Sequence, residues 1–290
     1  GMAGIVGHGP NAAVKVKHMC QAMSCRGRGA VGVYADEQIA LGMLEGIPQP
    51  ATDDPKSQVP FASRDGRYRL AWMGHFMDAS DSHGRYELAE APDITSFIAA
   101  YADTGPETLS RLRGAFALAL WDSTECTLLL ARDRLGIKPL FYRLHRNAVV
   151  FASEVKALWA SGVARPELNA SALCDLLGHL HLSGDETCFQ GIFKVPAGHA
   201  LLFTNGQERL VRYWQPDQSP GELRTPEELG ESLAERLQAA VARRLSPSGS
   251  EARPVQVRVE LGVTPDDGVR ETTRVGSLFS MLTEALSDTV

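Results

Sequence analysis

A cluster of charged side chains stands near the middle of the chain: Arg132, Asp133, Arg134 and Lys138. The segment that carries it is too charged for a buried strand, and Gly136 and Pro139 favour a turn there. Two roles are open for such a cluster. It either docks a partner or forms ion pairs on a solvated surface, where each pair contributes little to stability.

Metal chemistry finds no support in the sequence. The five cysteines are odd in number and lack paired metal spacing: Cys20, Cys25, Cys126, Cys174 and Cys188. We interpret them as reduced thiols, mostly small core residues. No set of histidines, cysteines and carboxylates has ligand spacing, so structural roles are expected for His8, His75, His179, His181 and His199. The sequence predicts neither a metal nor a cofactor.

Short apolar runs separated by turn residues flank the charged cluster. They cover residues 112–120, 128–131, 140–142 and 149–151. Runs of this length predict successive antiparallel strands joined as a meander. Further strands are predicted near residues 3–7, 39–45, 68–76, 193–203 and 210–214. Apolar spacing predicts helices near residues 11–23 and 169–180, the second capped by Asn169.

Six segments carry a family resemblance: residues 114–122, 131–142, 151–158, 186–192, 194–199 and 212–214. They resemble, in the family's order, the glutaminase domain of glutamine-hydrolysing asparagine synthetases, over about residues 2–245. That domain is a class II glutamine amidotransferase of the N-terminal-nucleophile hydrolase fold. The resemblance implies an α+β fold, an αββα sandwich of two antiparallel sheets with helices outside.

The resemblance also implies a reaction. In the family, the N-terminal cysteine attacks the side-chain amide of glutamine, and its own α-amino group serves as the base. Ala3 stands at that place in this chain, and a methyl group cannot attack a carbonyl carbon. Gly1, ahead of Met2, resembles a residue left by removal of a purification tag.

Other positions of the family's glutamine site differ as well. Glu45 stands where the family carries the arginine that holds the glutamine carboxylate, and an acid there would repel it. No arginine lies between Arg28 and Arg64. Met73 replaces the asparagine whose side chain forms the oxyanion hole, whereas Gly74 keeps a backbone N–H for it.

Two more positions complete this vestigial glutamine pocket. His75 replaces an acidic residue of the family motif. Asp93 matches the aspartate that contacts the α-amino group of glutamine, but it serves equally well as the N-terminal cap of a helix. The hypothesis that follows is a naturally inactive glutaminase site.

The chain is expected to contain two units. The first covers residues 2–214, a linker follows at residues 215–221, and the second unit covers residues 222–290. Thr225 and Pro226 favour a helix start, but the pyrophosphate loop of synthetases does not follow. A half-exposed strand near residues 255–261 and a closing amphipathic helix near residues 275–286 are predicted instead.

Composition limits the functional classes. The 290 residues carry a net charge of −6, with 44% hydrophobic and 22% charged residues, as in globular proteins with a real core. Net acidity argues against nucleic acid as a partner. No apolar run reaches the length of a membrane span and no signal segment begins the chain, so a cytoplasmic location is expected.

Three functional hypotheses stay open. The first is a non-catalytic subunit of an ATP-dependent amide-forming system, in which a separate synthetase or ligase subunit faces the charged cluster. The second is an active glutaminase that releases ammonia, with Ala3 introduced by engineering in place of cysteine. The third is an interaction module that forms a homodimer through the last strand and helix.

Overall fold

The computed structural model describes residues 1–7, 11–27, 30–44, 60–77, 94–163, 165–182, 184–218 and 225–245. The strands among them are β1 Met2–Val6, β2 Val31–Ala35, β3 Ile39–Leu44, β4 Phe61–Ala62, β5 Tyr68–Met77, β6 Arg113–Asp122, β7 Thr127–Arg132, β8 Phe141–His145, β9 Ala148–Ala152, β10 Phe193–Lys194, β11 His199–Thr204 and β12 Gln207–Arg212. The helices are α1 Ala12–Ala22, α2 Ile94–Thr104, α3 Val155–Ala160, α4 Ala170–His179 and α5 Pro226–Leu245. Short 3-10 turns lie at Ser24–Arg26 and Gly105–Arg111.

The strands form two six-stranded sheets. The first sheet has the order β10-β8-β9-β1-β3-β2, and the second has the order β12-β11-β7-β6-β5-β4. Neighbouring strands run antiparallel in both. Strand β1 lies inside the first sheet, where Ala3 pairs with Gly42 of β3 and Ala152 of β9.

Alternate residues of the strands fill the space between the sheets. Met2 and Val6 of β1 pack there with Ala117, Ala119 and Trp121 of β6. Side chains of a strand point to opposite faces in turn, so the residues between them must be buried elsewhere. The outer face of the first sheet, which includes Ala3 and Ile5, is covered by α1 and α3.

Helix α2 covers the outer face of the second sheet. Phe97, Ile98 and Tyr101 of the helix pack there against β6 residues such as Phe116 and Leu118. The order of layers is therefore helix, sheet, sheet, helix. This arrangement confirms the αββα sandwich that the resemblance implied.

Local signals in the sequence also hold. The four apolar runs form β6, β7, β9 and the start of β8. The side chain of Asn169 accepts a hydrogen bond from the Ala172 N–H and caps α4. Thr225 and Glu228 exchange backbone-to-side-chain hydrogen bonds at the start of α5, as in a capping box. The predicted elements after residue 245, and the cap role of Asp93, lie outside the described residues.

Asp133 organises the loop between β7 and β8. Its side chain is fully buried and accepts backbone N–H bonds from Leu135, Ile137 and Lys138, at 3.2, 2.9 and 2.9 Å. Burial raises the pKa of this carboxyl, while the backbone hydrogen bonds act in the opposite direction. One carboxylate thus satisfies three donors of a turn that has no strand partner for them.

The guanidinium of Arg132 holds the same loop from inside. It donates to the carbonyl oxygens of Lys138 and Val195 at 2.8 and 3.1 Å, and also to that of Gly136. Gly136 has φ +68, and a side chain on it would lie 2.8 Å from the guanidinium carbon. Glycine is therefore required at this position.

We expect substitution of Asp133 to destabilise the fold in graded steps. Asp133→Asn keeps one acceptor oxygen but loses the bond from Lys138, which costs about 1–3 kcal/mol for one buried donor left unpaired. Asp133→Ala leaves all three donors unpaired and costs about 3 kcal/mol or more. Urea unfolding at neutral pH measures both; equal losses in the two variants would contradict the role of the three hydrogen bonds.

Candidate functional site

A pocket of about 730 Å³ lies between the end of β3, the middle of β5, the 3-10 turn at Ser24–Arg26 and the start of α3. Its lining combines apolar and charged side chains: Gly1, Cys25, Arg26, Met43, Leu44, Trp72, Met73, Gly74, Lys138 and Glu154. Residues from six separate parts of the chain therefore meet at one concave surface. A concavity with a few convergent polar groups is the usual form of a ligand site.

Ala3 is two residues from Gly1, which lines the pocket, but Ala3 itself is not among the described lining residues. Its side chain is 0% exposed and packs on the outer face of the first sheet with Val16, Met19 and Cys20 of α1. No nucleophile is present at this position, and its methyl group contributes only to the core.

Met73 occupies the wall of the pocket on β5. The hydroxyl of Ser153 lies 3.0 Å from its sulfur, and the same hydroxyl accepts the Met2 N–H at 3.1 Å. Ser153 is fully buried, so the thioether provides a weak acceptor where an amide donor would be needed for an oxyanion. Met73 therefore packs the wall of the site and provides no hydrogen-bond donor to it.

Gly74 follows Met73 and also lines the pocket. Its φ is +102, and a Cβ there would lie 1.9 Å from the carbonyl oxygen of Ala115 on β6. Only glycine fits this part of β5. The backbone of His75 continues the strand and pairs with Ala115. Glu45 and Asp93 lie outside the described residues, and on the β3 side the pocket wall consists of Met43 and Leu44.

A charged group forms the rim of the pocket near α3. The carboxylate of Glu154 accepts hydrogen bonds from Arg26 Nε at 2.5 Å and from Lys156 Nζ at 3.0 Å. Cys25 contacts two members of this group: its sulfur lies 3.5 Å from Glu154 Oε1 and 3.3 Å from Lys156 Nζ. The exposed thiol of Cys25 thus contacts one anion, Glu154, and one cation, Lys156.

The charged cluster predicted from the sequence divides in two. Arg132 and Asp133 hold their own loop, and Arg134 is 8% exposed, with its guanidinium donating to the Ser110 carbonyl and lying over the Trp214 ring. These three side chains are turned into the protein. Lys138 differs because it lines the pocket.

Several pocket residues were not singled out from the sequence. The prediction that the cysteines are mostly core residues is wrong: of the five free thiols Cys20 is buried, Cys126 and Cys188 are half-buried, and Cys25 and Cys174 are exposed. Glu154 and Lys156 lie in the family-like segment 151–158, which the resemblance assigns to the framework and not to the glutamine site. Their place in that segment is the one feature of the sequence that could have indicated a role. No sequence pattern predicts that residue 25 contacts residue 154.

The comparisons with known proteins agree with this architecture. A model of the glutamine amidotransferase domain matches residues 1–214. The chain belongs to this family. Two solved structures share the fold at a TM-score of 0.51 and 0.50: an allosteric regulatory enzyme of purine biosynthesis and glutamine phosphoribosylpyrophosphate amidotransferase from Bacillus subtilis. They are 17% and 18% identical, each match covering 74% of this chain and 49% of the other, so they show the fold alone.

Curated relatives of this amidotransferase domain are longer proteins. An amidase of Gibberella zeae is 30% identical over 247 residues, covering 80% of this chain and 36% of the amidase. A glutamine-hydrolysing asparagine synthetase of Bacillus subtilis is 26% identical over 191 residues, covering 63% of this chain and 29% of the synthetase. A putative asparagine synthetase of Mycobacterium tuberculosis is 47% identical over 99 residues, covering 32% and 15%. The chain therefore spans about a third of the length of these relatives, or less.

No three His, Cys, Asp or Glu side chains in the described part of the chain are grouped so that they could hold a metal ion. None of the described helices combines the length and the apolar character needed to cross a bilayer.

The ion pairs of Glu154 predict a pH dependence of stability. Burial acts to raise the pKa of this carboxyl, but hydrogen bonds from Lys156 and Arg26 outweigh it and hold the pKa below its ordinary value of 4.5. A carboxyl with a lowered pKa stabilises the fold above the unfolded value and loses this contribution as the pH falls through the folded value.

We therefore expect Glu154→Gln to lower the Tm at pH 7 by about 2 °C, since a partly exposed ion pair contributes up to about 1 kcal/mol. The difference in Tm from the unsubstituted chain should shrink below pH 4.5. It should vanish once Glu154 is protonated in both the folded and the unfolded state. Thermal unfolding from pH 3 to 7 measures it, with the exposed Glu37→Gln as the matched control. A deficit that stays constant down to pH 3 would speak against the ion pairs.

Proposed function

We propose that this chain is a glutamine amidotransferase domain without glutaminase activity, which serves an ATP-dependent amide-forming system as a structural or partner-docking unit. The observation that carries the proposal is the buried methyl group of Ala3 at the position of the family's nucleophile. Without a nucleophile no acyl-enzyme can form, and the two-step hydrolysis of the glutamine amide has no first step.

The rest of the pocket supports the same conclusion. Met73 provides an acceptor sulfur where a donor is needed, and one lost oxyanion donor commonly costs a factor of about 10² to 10³ in rate. The wall at β3 is apolar, with Met43 and Leu44, and residues 29–63 contain no arginine that could bind a glutamine carboxylate. An engineered replacement of the native cysteine by Ala3 would not account for these further differences.

The proposed partner is a separate synthetase or ligase subunit that carries out the ATP chemistry. The relatives, an amidase and asparagine synthetases by name, support an amide-forming context, and this chain covers only 36% and 29% of two of them. Lys138 is the member of the charged cluster that is left for docking. A homodimer through residues 246–290 and a cytoplasmic location stay predictions from the sequence.

A paired assay tests the proposal. We expect calorimetric titration of L-glutamine to show no binding, and we expect no ammonia release from the chain or from an Ala3→Cys variant whose first residue is position 3. Such a variant presents the thiol and the α-amino group that the family's reaction uses. The double variant Ala3→Cys, Met73→Asn is the matched companion, because it also restores the oxyanion donor.

The outcomes separate the hypotheses. Glutamine binding together with ammonia release from the single cysteine variant would overturn the proposal and favour a glutaminase in which Ala3 had replaced the native cysteine. Release only from the double variant would support it, since activity would then require repair of two independent losses. Circular dichroism of each variant verifies that the sandwich is intact.

A further inference from the structure

Helix α5 carries a row of leucines on one face. Leu229, Leu233 and Leu237 recur every four residues along the helix, so they lie one above the other. Leu229 is 54% exposed, Leu233 is 48% exposed, and Leu237 is half-buried. None of the described side chains of α5 belongs to the three core clusters that contain the strands. An apolar face of this kind on an amphipathic helix packs against another element in most proteins.

The exposure of this face falls toward the end of the helix. Ala240 lies one turn beyond Leu237 and nearly in line with Leu233, and it is 1% exposed. A methyl group on the surface of a helix is accessible to water unless another segment covers it. The cover of the leucine row therefore begins at the end of α5, where the chain continues into residues 246–290.

Residues 246–290 need a surface outside themselves to bury their apolar side chains. The segment contains neither cysteine nor histidine, so neither a disulfide nor a typical zinc site is available to stabilise it. A chain of this length alone buries too little apolar surface for a stable core. The apolar stripe of the amphipathic helix predicted at residues 275–286 therefore requires a partner surface.

The charges beside the leucine row are positive. Arg236 is exposed and lies three residues from Leu233, so it stands about 60° around the helix, at the edge of the row. Glu231 and Glu235 are each two residues from Leu233, which places them about 160° away, on the opposite side of α5. The face around Leu233 thus combines apolar side chains with a cation.

The end of the chain has the complementary charge. Residues 275–290 include no lysine or arginine, and their two charged residues are Glu284 and Asp288. An acidic segment suits a face with an arginine at its edge. A second copy of α5 suits it less well, because the two copies of Arg236 would then lie along one seam.

We propose that the helix predicted at residues 275–286 packs on the leucine row of α5 in the same chain. The connection at residues 246–274 spans up to about 100 Å when extended, whereas the 20 residues of α5 are about 30 Å long. The connection therefore permits either orientation along α5. The inference goes beyond the proposed function and does not depend on it. It engages the last helix within its own chain and not in a homodimer.

Hydrogen exchange of the full chain, located by peptide mass spectrometry, tests the proposal. We expect the amides of residues 275–286 to be protected. Leu233→Asp places a charge in the leucine row, and it should speed exchange at residues 275–286 by about tenfold or more, because this segment loses its cover. Leu177→Asp is the matched control: it makes the same change at a leucine of α4 that is 73% exposed, and it should leave the exchange at residues 275–286 unchanged.

A variant on the other side of the contact provides an independent measurement. Leu282→Asp should speed exchange at residues 229–240 of α5 and leave α4 unchanged. This result reports the contact even if Leu233→Asp unfolds α5 itself. Light scattering on the same samples gives the mass of the particle at each protein concentration.

Four results would overturn the proposal. The first is fast exchange at residues 275–286 in the unsubstituted chain, and the second is an unchanged α5 in Leu282→Asp. The third is loss of protection in Leu177→Asp but not in Leu233→Asp, which would place the segment on α4. The fourth is protection that appears only as a dimer forms at high concentration, which would assign the contact to a second copy. None of these measurements involves glutamine, so a failure here leaves the proposed function untouched.

Discussion

The central position of β1 is the constraint on which the site depends. This strand of five residues is paired on both sides, by β3 and β9, so its register is fixed by hydrogen bonds along both edges. The alternation of its side chains then sends Met2 between the sheets and Ala3 toward α1. The hydroxyl of Ser153, the residue after β9, accepts a hydrogen bond from the Met2 N–H at the start of β1. A residue at position 3 is held rigidly whether or not it can react.

Much of the fold could be predicted because its signals are local. The apolar runs that form β6, β7 and β9, the Asn169 cap and the capping box of Thr225 each depend on residues close together in sequence. The pairing of strands and the stacking of two sheets required the family resemblance, because single strands do not specify their neighbours. The loop at Arg132 and Asp133 could not be predicted in this way. Its charges suggested an exposed surface, but the two side chains form hydrogen bonds with backbone groups within the protein.

The candidate site was predicted only in part, for the same physical reason. Ala3 and Met73 could be identified because each sits in a recognisable motif. The group formed by Cys25, Arg26, Glu154 and Lys156 could not, since its contacts join residues 128 to 131 positions apart. The spacing of residues in a single sequence does not predict contacts between positions so far apart. Only the fold brings the turn before β2 against the start of α3.

The packing of this domain does not depend on groups that could hydrolyse glutamine. A small apolar residue at position 3 suits the packing beneath α1, and Met73 fills the pocket wall while its sulfur lies against the Ser153 hydroxyl. The buried hydroxyl of Ser153 has an acceptor in the Met73 sulfur, so this replacement leaves no unpaired donor there. Gly74, by contrast, cannot vary, because β5 and β6 would collide. The walls of the pocket include β3 of the first sheet and β5 of the second. The concave site therefore belongs to the architecture of the sandwich and does not depend on which residue stands at position 3.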